Sequence, residues 1–274
     1  MKAEDQRVNS SKFEGLTAGK RRDIMKKLLF VFTVVGCTLL VITGGYAPVK
    51  ADDNAGTVTN IDGNVYQTVK IGDQVWTTEN LRTTKFTDGS AIPLVTDKTA
   101  WGALSTPGYC FYKNTINADH IKKYGALYNW YTINPVNSKK IAPNGWHVPS
   151  DADWDILQNY LMAQGYNWDG TAAENKIAKS MAAKTDWRTD LDPGTIGNDL
   201  SKNNKTSFSA LPGGYRDFYG DFLRMDAGGG WWSTTSLDGA RASSRNLSFD
   251  NECFYKLSSR YHEYCGFSVR LVRD

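Results

Sequence analysis

The chain has 274 residues, of which 41% are hydrophobic and 22% are charged, and its formal net charge is +3. This is the composition of a globular protein with enough apolar residues for a sizeable core. Nine Lys or Arg but only four Asp or Glu fall within residues 1–51, so residues 52–274 carry a formal charge of −2. Without an excess of positive charge the chain lacks the electrostatic footprint of a nucleic-acid-binding protein, and no nucleic-acid partner is expected.

The segment that begins at Met25 has the three parts of a secretion signal. Two lysines follow Met25, an apolar stretch runs from Leu28 to Thr43, and small side chains lead to Ala51. We predict cleavage after Ala51, which makes residues 1–51 an N-terminal extension with a signal peptide. Met25 looks like the true start of translation. The mature protein is therefore expected to be secreted or to lie at the cell surface.

Two alternatives to simple secretion remain open. Val34–Cys37 resembles the lipobox of bacterial lipoproteins, in which Cys37 would be acylated and would attach the protein to the outer membrane. However, Thr38 to Ile42 continue the apolar run, where lipoproteins usually turn polar. An uncleaved anchor would have about 16 apolar residues, fewer than the ~20 that a spanning helix needs. Contact with a membrane is expected only through a signal or a lipid anchor.

The mature chain opens with a polar segment and then an extended one. Residues 52–63 are rich in Asp, Asn, Gly and Thr and predict a flexible lead-in, so one domain is expected over residues 64–274. Apolar residues around a Gly-Asp turn then predict a β-hairpin. In its first strand Val65, Val69 and Ile71 share one face, and after the turn at Gly72–Asp73 the second strand begins with Gln74–Trp76.

Two consecutive helices are predicted in the middle of the chain. The first runs from Ser150, which can cap free amides with Asp153 three residues on, to Gly165, and its apolar residues Trp154, Leu157 and Leu161 recur at helical spacing. The second opens with a similar pair at Thr171 and Glu174 and runs to about Lys184, with the apolar stripe Ile177, Ala178 and Met181.

The last third of the chain predicts a long loop and then strands. Residues 188–207 contain Asp, Gly, Asn and Ser with few apolar side chains, and a loop of this length is either functional or poorly ordered. Short apolar runs separated by turns predict strands at Trp231–Thr235, Asn246–Phe249 and Phe267–Val272. There is neither a fixed repeat nor β-α-β alternation, so the expected class is α+β.

Several motifs together resemble the Fibrobacter succinogenes major paralogous domain. They follow in order over essentially the whole mature chain: Val69–Gly72, Val75–Trp76, Glu79–Leu81, Tyr124–Trp130, Pro143–Ser150 with Trp154 and Leu157, Phe208–Arg216, Trp231–Thr235 and Ser268–Asp274. The resemblance implies an exported protein with a C-type-lectin-like domain of short antiparallel strands, two helices and long loops. It also implies a distant similarity to formylglycine-generating enzymes, without an established activity. Ala142 and the region near His120 depart from the pattern, since cysteines are common there, which leaves Cys110 without an obvious partner.

The adjacent indoles Trp231 and Trp232 are the main candidates for ligand binding. Neighbours in a strand face opposite sides, so one indole is expected to point outward unless a loop covers it. An exposed indole beside Ser, Thr and Asp suits stacking on a sugar ring, and we predict a binding face there together with the 188–207 loop. The alternative is that both indoles are buried. Tyr215 and Arg216 follow two glycines and are added to the binding residues, although this motif also reads as structural.

The sequence gives no support to a metal or catalytic site. The histidines at 120, 147 and 262 have no ligand spacing, and His147, between two prolines, reads as a structural residue. Zinc-binding Cys-x-x-Cys and His-Glu-x-x-His motifs and the Gly-x-Ser-x-Gly nucleophile motif do not occur. The acidic doublets lack the alternation of a calcium loop, and the tripeptide signatures of calcium-dependent lectins are missing. No cofactor is predicted, and calcium is left without support.

Export would permit one disulfide in the mature chain. Cys253 and Cys265 lie in segments that look like two strands of a hairpin joined through Ser258–Ser259, and we predict that they pair. Cys110 would remain free and buried.

These observations favour a non-catalytic binding module for a glycan, a polysaccharide or a surface protein. A structural subunit of a surface layer or appendage is the first alternative. An oxidase of the formylglycine-generating type is the second, although its copper-binding cysteine pair would have to come from Cys253 and Cys265 without the matching motif.

Overall fold

The computed structural model describes residues 55–257 and 262–274. The expected signal peptide, the alternative acylation site Cys37 and the junction Ser258–Ser259 lie outside these residues.

The described residues form twelve strands and five short or medium α-helices. The strands are β1 (Thr57–Thr59), β2 (Val65–Ile71), β3 (Gln74–Thr77), β4 (Tyr109–Cys110), β5 (Leu127–Tyr128), β6 (Trp146–His147), β7 (Gly213–Arg216), β8 (Phe222–Met225), β9 (Gly228–Ser236), β10 (Ala242–Ser248), β11 (Tyr255–Leu257) and β12 (Val272–Arg273). The helices are α1 (Lys98–Gly102), α2 (Ala118–Tyr124), α3 (Trp130–Ile133), α4 (Asp151–Ala163) and α5 (Ala178–Met181).

Two five-stranded sheets and one two-stranded sheet organise these elements. The first sheet has the strand order β1-β2-β3-β12-β6, and all its pairs are antiparallel. The second has the order β11-β10-β9-β7-β8, with one parallel pair between β7 and β9. Strands β4 and β5 form the small sheet. The α+β class expected from the sequence is confirmed, while the C-type-lectin-like fold stays an expectation.

The predicted opening hairpin is confirmed. Strands β2 and β3 pair in antiparallel register, and Gly72 turns the chain at a φ of +62°, which a side chain would disfavour. Val69 and Ile71 are buried, but Val65 is exposed, because adjacent Thr68 and Val69 both turn inward and break the alternation. The expected common face therefore holds only for the second half of β2.

The predicted flexible lead-in is wrong for part of its length. Thr57–Thr59 form β1, which pairs with Val65–Gln67 and buries Val58 in the core. The backbone amide of Ala55 also donates to the carbonyl of Thr68. Ordered structure therefore begins before residue 64, because a short polar strand gains its stability from the strand beside it rather than from its own composition.

The first predicted helix is confirmed as α4. The Ser150 hydroxyl accepts the backbone amide of Asp153, and the Asp153 carboxylate accepts the amide of Ser150, so both halves of the capping box form. Trp154, Leu157 and Leu161 are completely buried on one face of the helix.

The second predicted helix is largely wrong. Thr171 donates to Asp169 rather than capping a helix, and Glu174 has a φ of +62°, outside the helical region. The side chain of Asn167 accounts for the difference, because its amide donates to the carbonyls of residues 173 and 174 while its oxygen accepts the amide of Lys176. Only the last turn is helical, as α5.

The predicted strands near the C-terminus are confirmed at β9 and β10 but not at Phe267–Val272. In that segment Phe267 bridges Tyr128, Ser268 bridges Trp231, and only Val272–Arg273 joins a sheet, as β12. Residues 267–272, which we call the crossing segment, change partners at almost every residue because they pass from the second sheet to the first, and a continuous strand cannot do so.

The long loop at 188–207 is present, with one short 3-10 helix at Leu200–Lys202. Among the described residues, no helix combines the length and the apolar character that crossing a membrane would require.

Candidate functional site

Trp231 and Trp232 do face opposite sides of β9, but neither is exposed. Trp231 packs edge-on against Phe208, and Trp232 packs perpendicular to Phe267 with ring centroids 4.8 Å apart. Their indole N–H groups donate to the Asn80 side chain at 2.9 Å and to the Tyr128 carbonyl at 2.7 Å. The expectation of an outward indole is wrong, because β9 lies between two hydrophobic clusters and both of its faces are covered at this point.

Arg216 is also buried, with 1% of its surface exposed. Its guanidinium donates to four backbone carbonyls, those of Val95, Thr96, Asp97 and Gly220, and lies over the rings of Trp101 and Phe222. Because these bonds engage its donors, Arg216 holds the loops around α1 in place rather than presenting a charge to a ligand. The structural reading of this residue fits the geometry better than the predicted binding role.

Tyr215 differs from its neighbour because it faces the open side of the second sheet. In the pairing register, Tyr215 is opposite Leu223, Gly230 is opposite Asn246, and Asn246 is opposite Tyr255. Side chains at paired positions share a face of the sheet. This face bears a cavity of about 610 Å³, whose border includes Tyr215, Leu223, Arg224, Gly228, Gly229, Asn246, Ser248, Asp250, Tyr255 and Leu257. We call it the glycine trough.

Glycines form the floor of the trough on β9. A Cβ atom at Gly228 would lie 2.8 Å from Nε of Arg224, and one at Gly229 would lie 2.7 Å from both the Leu211 carbonyl and the Trp231 ring. Beyond the cavity, a Cβ at Gly230 would lie 2.5 Å from Phe267. Neighbouring atoms thus already occupy the positions that Cβ atoms on this part of β9 would take, so substitution of these glycines would displace the neighbours.

The walls of the trough carry large apolar side chains on two sides. Leu223 and Tyr255 are 38% and 39% exposed, which is high for residues in strands, and they stand on β8 and β11. Tyr215 is half-buried and packs against Phe267, with the two ring centroids 5.3 Å apart. Burial raises the pKa of the Tyr255 phenol, so the group stays a neutral donor and acceptor at physiological pH.

One end of the trough is polar. Arg224 donates to the Ser248 hydroxyl at 2.6 Å, and that hydroxyl donates to the carboxylate of Asp250. Asn246 donates to the Ser244 hydroxyl at 2.9 Å, and its side-chain oxygen lies near the Gly230 backbone. A cation, a carboxylate, a hydroxyl and an amide thus lie beside the apolar walls, which is the mixture that a polyhydroxylated ligand requires.

The structure does not show the predicted disulfide, since Cys253, Cys265 and Cys110 are free thiols. Cys253 precedes β11, which pairs with β10, whereas Cys265 follows a turn at His262 and leads into the crossing segment. The two cysteines are therefore not on paired strands, which the hairpin required. Cys110 is buried, as expected.

His147 bridges two carboxylates at the other end of the molecule. Its Nδ1 lies 2.6 Å from Asp274 and its Nε2 lies 3.3 Å from Asp153, so it ties β6 to the chain end and to the cap of α4. These contacts favour the structural interpretation. Among the described residues, no three His, Cys, Asp or Glu side chains are grouped so that they could hold a metal ion.

Sequence reasoning found Tyr215 but missed Leu223, Arg224, Asn246 and Tyr255. The signal that could have located them is the run Gly228–Gly230 directly before Trp231. Three glycines inside a strand indicate a close approach of another group or a depression in the sheet. The partners on the flanking strands could not be read from the sequence, because they depend on the register.

The comparisons with known proteins agree with this sequence pattern. The family model described as the Fibrobacter succinogenes major domain matches residues 69–273. The chain matches no curated protein and no solved structure significantly. Since the matched region covers most of the chain, the protein belongs to the Fibrobacter succinogenes major domain family.

Proposed function

We propose that this member of the Fibrobacter succinogenes major domain family is an exported, non-catalytic module that binds a polysaccharide in the glycine trough. The observation that carries the proposal is the open sheet face on which a floor without side chains lies between large apolar side chains and a polar end. Export follows from the tripartite segment between Met25 and Ala51.

The chemistry of the trough matches the two sides of a sugar ring. The apolar faces of a pyranose can lie against Tyr255 and Leu223, which stand on opposite walls. Its hydroxyls can exchange hydrogen bonds with Asn246 and with the Arg224–Ser248–Asp250 group. Each ring contact contributes on the order of 1 kcal/mol, so one sugar unit would bind weakly and a polymer would bind through repeated contacts.

The polar groups of the trough favour binding over catalysis. Catalysis by a pair of carboxylates would require both groups to face an open space between them. The Asp250 carboxylate instead accepts the Ser248 hydroxyl, which itself accepts a hydrogen bond from Arg224. Asp217, on the opposite rim, is engaged by the backbone amides of Tyr219 and Asp221. These carboxylates therefore hold loops and accept hydrogen bonds, which suits a recognition surface.

The test is retention of the purified full chain on a panel of insoluble and gel-embedded neutral polysaccharides, with and without calcium. Tyr255→Ala should abolish retention while leaving the melting temperature nearly unchanged, because the side chain is exposed. Tyr219→Ala removes a tyrosine that is 66% exposed and does not border the trough, and it should bind as the wild type does. Equal retention of all three proteins, or no retention on any polymer, would refute the proposal.

A further inference from the structure

A second cavity, of about 530 Å³, lies beside the long loop and away from the glycine trough. Its border includes Trp168, Lys179, Lys184, Lys202, Asn203 and Lys205. None of its bordering residues, all of which the structure describes, is Asp or Glu. We call it the lysine pocket. The border thus concentrates four lysines in a region of the chain, residues 52–274, whose formal net charge is −2, and such a concentration of one sign of charge attracts anions.

The loop that forms the pocket is held from beneath by a buried cation. Lys179 is 6% exposed, and its ammonium donates to the backbone carbonyls of Thr195, Asn198 and Asp199. Burial lowers the pKa of this ammonium. Three carbonyl dipoles and the charge of the Asp199 carboxylate act on this ammonium, so the main contribution of Lys179 is to fix the shape of the pocket.

Two of the remaining lysines are free to meet a ligand. Within the described residues, Lys202 forms an ion pair with Asp199 at 3.1 Å, whereas Lys184 and Lys205 are exposed and form no ion pair. Trp168 supplies an apolar wall: it is 37% exposed, and Gly194 packs against its indole so closely that a Cβ would lie 2.3 Å from the ring. The pocket therefore combines anion-binding donors with an aromatic surface.

An unsatisfied acceptor at the base of the pocket adds a preference for hydroxyls. Asn203 is 2% exposed, and its amide nitrogen donates to the carbonyls of Ala183 and Ile196, which fixes the orientation of the side chain. Its Oδ1 has no hydrogen-bond partner among the described residues. A buried acceptor without a donor is costly, and a hydroxyl that reaches it would remove the cost.

We propose that the lysine pocket binds a carboxylated sugar unit, with the carboxylate at Lys184 and Lys205 and the ring beside Trp168. This inference goes beyond the proposed function, because it adds a second site, and rests on it, because it takes the ligand to be a saccharide. Sulfate has no donor for Asn203, and neither sulfate nor phosphate has an apolar face for the indole, so a uronic acid fits more of the pocket than either anion does.

The experiment measures binding of trigalacturonic acid to the full chain by calorimetry, with neutral galactotriose as the matched ligand. Lys184→Gln combined with Lys205→Gln should weaken trigalacturonate binding by about tenfold or more, since it removes two charge-assisted contacts. Lys70→Gln, at an exposed lysine on β2, should leave the affinity unchanged. Galactotriose should show no dependence on the two lysines.

Three results would overturn the proposal: equal weakening by Lys70→Gln, no effect of the double substitution, or phosphate binding with the same lysine dependence while trigalacturonate does not bind. Tyr255→Ala separates this proposal from the proposed function. If neutral polymers bind through Tyr255 and trigalacturonate does not bind, only the lysine pocket is refuted. If neither neutral nor acidic saccharides bind, both proposals are refuted.

Discussion

The indole N–H of Trp231 donates to Oδ1 of Asn80 at 2.9 Å, across 151 positions of the chain. The same oxygen accepts Nε of Arg270 at 2.8 Å. Arg270 is completely buried, donates to the carbonyls of Thr77, Phe208 and Ser209, and has its pKa lowered by burial. The side chain of Asn80 therefore joins the second sheet, through Trp231, to the crossing segment, through Arg270.

Asn80→Ala should lower the free energy of unfolding by about 3 kcal/mol or more, because it leaves the Arg270 charge and the Trp231 indole short of an acceptor inside the protein. Chemical denaturation measures the change. Asn144→Ala, at an exposed asparagine, serves as the control and should stay within about 0.5 kcal/mol of the wild type. A loss at Asn80 no larger than that of the control would contradict the role assigned to this side chain.

Trp231→Ala and Trp232→Ala should each cost about 3–5 kcal/mol of stability, as large-to-small changes in a core do. Both side chains are fully buried, so the two losses should be similar. Trp168→Ala provides the comparison and should cost less, since that indole is 37% exposed. Urea unfolding of the three variants decides the point. A wild-type midpoint for either core variant would show that its indole is not packed as described.

The three free thiols predict a distinct labelling pattern. In the native protein without reductant, iodoacetamide should modify Cys253 slowly and spare Cys110 and Cys265, because the last two are buried and burial raises the pKa of each to about 12. After unfolding without reductant, mass spectrometry should find all three thiols modified in residues 52–274. Only one modified thiol in the unfolded protein would restore the disulfide between Cys253 and Cys265.

Stability should fall as the pH rises above about 9. Burial raises the pKa of Cys110 from 9.0 to about 12 and that of Tyr66 from 10.0 to about 12. In this range the unfolded chain loses these protons while the folded chain keeps them, so stability is full below the unfolded pKa values and is lost towards pH 12. Urea unfolding at pH 8 and pH 10 measures the slope. Cys110→Ala should reduce it, and an unchanged slope would argue against the shift at Cys110.

Export predicts the N-terminus of the mature protein. Intact-mass spectrometry of protein recovered from the native host should find a chain that starts at Asp52, because small side chains lead to Ala51. The lipoprotein alternative predicts an acylated Cys37 instead, and Cys37→Ala would then release the protein from the membrane fraction. An intact Met1 on a cytoplasmic product would contradict both.

The features that could be predicted from the sequence are those whose cause is local. The hairpin turn needs Gly72 at a positive φ, and α4 needs only the reciprocal bonds of Ser150 and Asp153, so both could be read from a few neighbouring residues. The prediction of the second helix failed because Asn167, four residues upstream of the expected start, forms hydrogen bonds with backbone carbonyl and amide groups that the helix would use. Nothing in the periodicity of residues 171–184 shows this competition.

The candidate site was predicted less well, because it depends on relations between distant segments. Alternation along β9 correctly places Trp231 and Trp232 on opposite faces, but whether a face is open depends on Phe267 and Phe208, which arrive from elsewhere in the chain. Tyr215 was named, while Tyr255 and Leu223 join it only through the register of five strands. A single sequence does not contain that register.

The glycine floor of β9 also separates the proposed recognition surface from the residues that keep the protein folded. In the proposed binding mode, ligand contacts come from side chains on β8 and β11, at the two edges of the second sheet, whereas the indoles that stabilise the sheet lie further along its central strand. Replacing Leu223 or Tyr255 would therefore change the width and polarity of the trough while both hydrophobic clusters stay intact. One scaffold could thus be retuned to new ligands by a few edge substitutions, without any compensating change in its interior.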